Sequence, residues 1–320
     1  MSVNYKPLQK CYSEKLDKWF GIPDCLYEFN PGKFVMPFQY TLMAQDILDF
    51  EVRSDDVWLV SYSRTGSTWC QEIIWLAMNN LNFEKATSTI QQLRAPMMEM
   101  SIYFFDNKEF CELIGNNSIE YVKNVPSPRF IKSHISYDLL PTQLKDVKPK
   151  IIYMSRNPKD VFLSYYPHMQ MFYGLNATFE ESAEMFCKGK MPLGCLLDHY
   201  LGFWQRRDEP NILFLKYEDL RYDTKETIQR IANFLEKPLS EEEVDKLHDF
   251  LTLPKMKNNP GMNMEMFTTN CEKKGRQNGG LPFIGSGSIG GWKERMTPEI
   301  SKMFDEWIEN KTKDTGLTFL

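Results

Sequence analysis

Residues 63–69 read SRTGSTW, and their types could hold an anion. A Gly-centred turn between a strand and a helix presents successive backbone N–H groups and a helix N-terminus to one point. Arg64 adds a fixed positive charge there, and Ser67 and Thr68 add hydroxyl donors. The plainer alternative is an ordinary polar turn, and the flanking strand and helix weigh against it. A triphosphate-binding P-loop would carry Gly at position 61 and Lys at position 67, where this chain has Ser61 and Ser67. A second apolar run, IIYMSR (151–156), ends in Arg156 where such an enzyme would place a magnesium-binding carboxylate. The loop therefore reads as P-loop-like but built for a phosphate without a metal, which argues against a metal-dependent kinase or nucleotidase. Arg156, beside a helix N-terminus, reads as a second anion contact.

These residues need elements to hold them. VWLVSYS (57–63) is a short apolar run rich in β-branched and aromatic residues, and beyond RTGST the residues Ile73, Ile74, Leu76, Ala77 and Leu81 recur at helical spacing. RFIKSH (129–134) and IIYMSR (151–156) read as further strands. The second runs into NPKDVFLSYY, where Asn157 can cap a helix that has Pro158 at its first position. ILFLKYEDL (212–220) reads as another strand, followed by a helix over DTKETIQRIANFLEK. Short buried strands alternating with helices predict an α/β fold, a central, mostly parallel sheet flanked by helices. Ligands in such sheets bind beyond the carboxyl ends of the strands, here the loops 63–68, 132–137 and 155–160. After residue 250 the periodicity weakens into a stretch rich in Gly, Asn and Lys, which reads as a functional lid, and residues 302–310 read as a closing amphipathic helix. With no repeat or linker to divide it, the chain reads as one domain over 1–320, its motifs lying between about 55 and 300.

Composition narrows the class. The 320 residues, 42% hydrophobic and 14% aromatic, are enough to bury a large core. A net charge of −5 argues against non-specific nucleic-acid binding, so any polyanion must be met by a local basic site. Seven cysteines, Cys11, Cys25, Cys70, Cys111, Cys187, Cys195 and Cys271, show no CxxC or zinc spacing and read as reduced cytoplasmic thiols. The first residues lack a signal-peptide core, and no run approaches a spanning helix, so neither secretion nor a membrane partner is expected.

Five segments together resemble the cytosolic sulfotransferase family. YSRTGSTW (62–69) is similar to the family's Y-P-K-[ST]-G-[ST]-[ST]-W loop, with Ser63 for Pro and Arg64 for Lys. FIKSH (130–134) matches [FY]-[IV]-K-[ST]-H, and RNPKDVFLSYY (156–166) carries R-N-P-K-D-x-x-x-S-Y-Y intact. YEDL (217–220) matches a further block, and GGWK (290–293) resembles G-D-W-K. The wording WKERMTPE is closer to insect members.

The resemblance implies transfer of a sulfuryl group from 3′-phosphoadenosine 5′-phosphosulfate (PAPS) to the hydroxyl of a small apolar acceptor, leaving PAP and using no metal. His134 falls on the general base and Lys132 on the residue that holds the bridging oxygen. Arg64 falls on the loop cation at the 5′-phosphate. Thr65, Gly66, Ser67 and Thr68 complete that loop, Trp69 stacks on adenine, Tyr217 lies near that base, and Thr252 is a further cofactor-binding residue. Arg156 and Ser164 bind the 3′-phosphate. Physical chemistry agrees: sulfuryl transfer parallels phosphoryl transfer, an in-line displacement catalysed by positioning and cationic stabilisation. Lys132 and His134, two apart, point to one face of a regular strand, the spacing a paired electrophile and base need.

Two departures carry consequences. Arg64 can stabilise a leaving phosphate but not readily donate a proton to it, so retained activity is expected. Where many members have Arg-Lys-Gly, the chain has Gly285, Ser286 and Gly287, so two cations are missing; their backbone amides could form a nest, and Lys273, Lys274 and Arg276 could compensate if the loop folds back. Weaker PAPS binding than a typical member shows is expected. Leu253 stands where an aromatic residue is usual. For the acceptor pocket the resemblance selects the segment RAPMMEM (94–100) and the helix after Ser164, with Met97, Tyr166 and His168 as wall residues. Met98, Phe104, Phe105, Tyr165 and Phe172 are further apolar residues nearby, about half of the set being core. A Met-rich wall suits flat or elongated phenols, steroids or other alcohols, in keeping with small-molecule metabolism and detoxification. The family's dimer motif is represented only by Lys293 and Thr297, with Pro298 and Lys302 off pattern, which implies a monomer or a weak homodimer. Two rival outcomes stand beside simple sulfation: sulfation of an allylic alcohol with elimination of the ester, as an insect retinol dehydratase does, and a catalytically weak PAPS-fold binding protein.

Overall fold

Alternate residues of one strand enter two different cores. Trp58 and Val60 pack into one apolar cluster, while Val57 and Leu59 pack into another. A strand covered on both faces reads as a continuous apolar run, which is why VWLVS shows no polar alternation. In the computed structural model, which describes residues 2–105, 107–273, 275–276 and 282–319, this strand is central.

Three short strands precede it: β1 (Asn4–Pro7), β2 (Leu26–Asn30) and β3 (Phe34–Pro37) form an antiparallel sheet in the order β1-β2-β3. The main sheet has β4 (Val57–Ser61), β5 (Phe130–Ser133), β6 (Lys150–Ser155) and β7 (Ile212–Lys216) in the order β5-β4-β6-β7, every pair parallel. The parallel sheet and its carboxyl-end loops agree with the sequence reading. The N-terminal sheet was not foreseen, because β1 is exposed at every position and the strands are only four or five residues long.

Helix α1 (Ser67–Met78) follows β4, and α2 (Pro158–Tyr173) follows β6 with Pro158 in its first turn and the Asn157 side chain accepting the Lys159 N–H at 2.9 Å. Beyond β7 the expected strand stops early: residues 217–222 are helical. The register explains this, since Lys216 pairs with Ser155 and β6 then turns into α2, leaving Tyr217 no partner strand. Helix α3 (Thr224–Phe234) is capped by the Asp223 carboxylate, and α4 (Pro298–Thr312) is the expected closing helix.

β5 is one of the two edge strands, and its outer side is covered. Met97 forms a parallel bridge with Lys132; the Met98 N–H donates to the Lys132 carbonyl at 2.8 Å, and the Lys132 N–H to that of Pro96 at 2.9 Å. This ties the segment 96–98 to the strand that carries Lys132. The stretch after 250 holds helices at Leu253–Asn258 and Glu265–Lys273, then an irregular run over 282–291. Among the described residues no helix is long and apolar enough to cross a membrane.

Candidate active site

The turn between β4 and α1 takes two left-handed residues in three. Arg64 has φ +70° and Gly66 has φ +90°, and a Cβ at Gly66 would collide with the Tyr217 ring. Glycine is therefore required there both by conformation and by space. Gly66 is the N-cap of α1, so no side chain caps the first turn; the Trp69 N–H donates to the Gly66 carbonyl at 3.1 Å, while the N–H groups of Ser67 and Thr68 have no intrahelical acceptor and form an anion cradle. The Arg64 guanidinium reaches across to α2: Nε donates to Ser164 Oγ at 2.9 Å, and an Nη donates to the Phe283 carbonyl at 2.9 Å. Burial and the neighbouring Arg156 charge lower its pKa to about 10, which still leaves it a cation at neutral pH.

Lys132 and His134 leave β5 on the same side. The ammonium of Lys132 donates to Gln71 Oε1 on α1 at 3.1 Å. Burial lowers its pKa to about 8, with Arg64 adding to the shift and Glu99 opposing it. His134 Nδ1 lies 2.7 Å from the Ser61 carbonyl oxygen and 3.3 Å from Ser61 Oγ. A carbonyl only accepts, so the proton is on Nδ1 and the neutral ring carries its lone pair on Nε2. Burial, and then the Lys132 charge, hold the imidazole pKa well below its ordinary value.

The other half is arranged around Arg156. One Nη donates to the Arg64 carbonyl at 3.3 Å and the other to the Ser288 carbonyl at 2.9 Å, while the guanidinium carbon lies 4.4 Å from the Tyr217 ring centroid. Arg156 Nε is buried with no hydrogen-bond partner among the described residues. Tyr217 and Arg221 both donate to the Gly287 carbonyl, each at 3.1 Å. Trp69 and Tyr217 meet edge-on, with centroids 6.4 Å apart.

One cavity of about 640 Å³ joins these groups. Of the residues selected from sequence, Arg64, Gly66, Ser67, Thr68, Trp69, Met97, Lys132, His134, Arg156, Ser164, His168, Tyr217, Gly285, Ser286 and Gly287 line it. Three do not. Thr65 turns its hydroxyl back to the Tyr62 carbonyl at 2.9 Å, and Thr252 donates to the Asp249 carbonyl at 3.3 Å. Tyr166 donates to the Ala177 carbonyl at 2.8 Å and packs on Phe162 and Phe179, on the outer side of α2. Of the other apolar residues, Phe104 and Phe172 line the cavity, Met98 and Tyr165 are wholly buried in the core, and Phe105 is 57% exposed. Of the cations expected to compensate, Lys273 is exposed at a helix end, Arg276 donates to the Phe172 carbonyl at 2.7 Å, and Lys274 lies outside the described residues. Lys257 and Arg295 line the cavity instead.

Sequence reasoning missed Gln71, Tyr103, Met169, Tyr173 and Phe283 on the wall. Gln71 was legible in part, as it lies one turn beyond Ser67 on the same face of α1. Phe283 was not, for its segment has no periodicity. His168, by contrast, was foreseen: burial and the Arg64 charge lower its pKa well below the ordinary value, and Nδ1 is buried without a partner among the described residues.

Residues 54–316 match the family described as the sulfotransferase domain. The chain belongs to the sulfotransferase family. This sulfotransferase is 34% identical over 290 residues to the luciferin sulfotransferase of Photinus pyralis, covering 88% of this chain and 77% of that one. It is 36% identical over 291 residues to the amine sulfotransferase of Oryctolagus cuniculus, covering 88% and 90%. Its fold matches retinol dehydratase solved with retinol and PAP, with a TM-score of 0.89 at 30% identity over 100% of this chain and 99% of the other. As a family member it is a PAPS-dependent transferase acting on a small acceptor. The site fits the nucleotide: cationic and hydroxyl donors converge on one cavity, and the Arg156 Nε there is buried without a partner among the described residues.

Proposed function

We propose that His134 is the general base of a sulfotransferase whose acceptor is a small, largely apolar alcohol or phenol. The observation that supports this most is the bond from Nδ1–H to the Ser61 carbonyl, which fixes the tautomer and leaves Nε2 to take the hydroxyl proton. When bound, PAPS supplies the activated sulfuryl group. Lys132 holds positive charge beside the base, and Arg64 with the first turn of α1 receives the 5′-phosphate. Arg156 and Ser164 bind the 3′-phosphate, while Trp69 and Tyr217 flank the adenine. Gly285, Ser286 and Gly287 contribute backbone contacts where cations are missing, so PAPS binds more weakly than in a typical member. Calorimetry with PAP checks this, and absence of binding at millimolar ligand would remove the nucleotide assignment.

Met97, Phe104, Phe172 and His168 form the acceptor wall of this reading. It extends to a single cytoplasmic domain, a monomer or weak homodimer, with no nucleic-acid or membrane partner. The deciding experiment is transfer of labelled sulfate from PAPS to a panel of phenols, steroids and aliphatic alcohols, with His134→Ala as control. Loss of about 10² to 10⁴ in turnover is expected of the variant, and equal turnover would remove His134 as the base. The whole-chain match to retinol dehydratase supports a second reading, sulfation followed by elimination. With an allylic alcohol, product mass separates a retained sulfate ester from a dehydrated product.

A further inference from the structure

Beneath the cavity lies a carboxylate that does not line it. Glu99 is wholly buried at the end of the segment tied to β5. Oε1 accepts the backbone N–H of His134 at 2.6 Å and Oε2 accepts the Ser133 hydroxyl at 3.0 Å, so one side chain grips two successive residues. On the opposite side of residue 134, His199 Nε2 lies 3.1 Å from its carbonyl oxygen. That carbonyl only accepts, so His199 carries its proton on Nε2, and its Nδ1 accepts the Tyr153 hydroxyl at 2.6 Å. With the ring fixed on Ser61, the main chain and the side chain of His134 are held at three points.

We propose that Glu99 is a positioning residue for sulfuryl transfer, clamping the end of β5 so that the His134 imidazole and the Lys132 ammonium keep a fixed relation. A buried carboxylate is costly, and an apolar residue of similar volume would serve packing at least as well. Glu99 forms no ion pair within salt-bridge distance among the described residues, and both of its oxygens are turned to the dipeptide that carries the base. Burial raises its pKa to about 7, opposed first by the His134 N–H, then by the Ser133 hydroxyl and the Lys132 charge. The carboxylate form is therefore the one its donors favour. Transfer chemistry depends on placement to a fraction of an ångström, so the clamp acts on the rate of the bound complex and not on its formation.

This inference rests on the reading of His134 as base, and two variants separate its parts. Glu99→Gln keeps the reach and loses the charge; Glu99→Asp keeps the charge and loses the reach. The aspartate variant should lower kcat about tenfold to a hundredfold, with acceptor KM and PAP affinity within about twofold of wild type. The glutamine variant should stay within about threefold in kcat, because a carboxamide oxygen still accepts the His134 N–H. In proton NMR of the free enzyme, the hydrogen-bonded Nδ1–H of His134 should persist in wild type and Glu99→Gln and exchange away in Glu99→Asp. Wild-type kcat in Glu99→Asp overturns the proposal, as does a Glu99→Gln variant slowed as much as Glu99→Asp. So does a loss of kcat accompanied by an equal loss of PAP affinity. If Glu99→Asp does not fold, Glu99→Leu, which keeps the volume and loses both acceptors, takes its place: the same loss of kcat and of the Nδ1–H signal is expected, and wild-type kcat overturns the proposal. If His134→Ala turns over normally, the base assignment itself has failed; if it is inactive while Glu99→Asp is normal, only the clamp has.

Discussion

Lys132 and His134 stand at the end of a strand bonded on both edges, whereas Gly285, Ser286 and Gly287 stand in a run without regular structure; both groups line the same cavity. In the strand-held half Lys132 and His134 each have protein partners that fix their direction: Gln71 for Lys132, Ser61 for the His134 ring, Glu99 and His199 for its backbone. In the loop-held half the cations bond backbone carbonyls: Arg64 to Phe283, Arg156 to Ser288 and Arg221 to Gly287. On the proposed reading, phosphate oxygens would compete with those carbonyls for the same donors. The difference separates rate from affinity. A preorganised set of charges and a base stabilises the transition state, while an adjustable loop tunes how tightly the nucleotide is held.

The sharpest way to break that division is Lys132→Met. The side chain keeps its length and loses its charge beside the base, so kcat should fall about 10² to 10³-fold while PAP affinity stays within about threefold. Steady-state kinetics with calorimetry on the same preparation checks it. A Kd that rises as far as kcat falls would show that Lys132 serves binding, and the division would collapse.

Arg156→Gln probes the other half. Its guanidinium has an Nε without a partner among the described residues, stacks on Tyr217, and joins the glycine turn to the C-terminal run. Charge-assisted hydrogen bonds are worth about 1.5–3 kcal/mol, so PAP Kd should rise about 10- to 100-fold. Turnover at saturating nucleotide should remain near wild type, and a fall in kcat matching the rise in Kd would contradict the assignment.

The pH profile sharpens the strand-held half. His134 has its pKa driven well below 6.5 by burial and by Lys132, so no acid limb should appear near the ordinary imidazole value. Lys132 is a cation below its pKa of about 8 and neutral above it. Hence kcat/KM for PAPS, which reports the free enzyme, should fall about tenfold per pH unit above that value. Glu99, with a pKa of about 7, bonds the same backbone, so a limb rising between pH 6 and 7 that persists in Glu99→Gln would mean that the base titrates as an ordinary histidine, and the buried tautomer would be the wrong picture.

How far the sequence could be read follows the same boundary. The parallel sheet, the glycine turn and the Asn157 cap were legible because each is a local rule: apolar runs of strand length, a left-handed position, a side chain that accepts an amide. Lys132 and His134 were singled out by the resemblance that FIKSH carries, and the alternation of a strand agrees with their facing one side. Phe283 and the bonds from Arg64 and Arg156 were not, because they join positions separated by 219 and 132 residues. Tyr166 misled because motif membership does not say which side of a helix meets the cavity. Glu99 was in view within RAPMMEM but unreadable, since nothing local says that a carboxylate there faces the backbone of residue 134.

Gly285→Arg gives the smallest effect and tests the loop-held half by addition. A Cβ at Gly285 meets nothing within 4 Å, and its backbone is not left-handed, so a side chain can be accepted without strain. Gly287 is the internal contrast, for its φ is +67° and a Cβ there would lie 2.7 Å from Leu253. The residue at 285 is exposed but belongs to the cavity wall, so a new guanidinium would face the cavity, near the 3′-phosphate of the proposed reading, without displacing the carbonyls that Arg156 and Arg221 already hold. Exposed ion pairs are worth about 0.2–1 kcal/mol, and PAP Kd should fall about two- to fivefold at low salt, the gain shrinking as salt rises. Turnover should not change, because no atom near Lys132 or His134 moves. If Gly285→Arg binds PAP no more tightly at low ionic strength, the missing cation is not what limits affinity. The loop carbonyls that compete for Arg64 and Arg156 then set it instead.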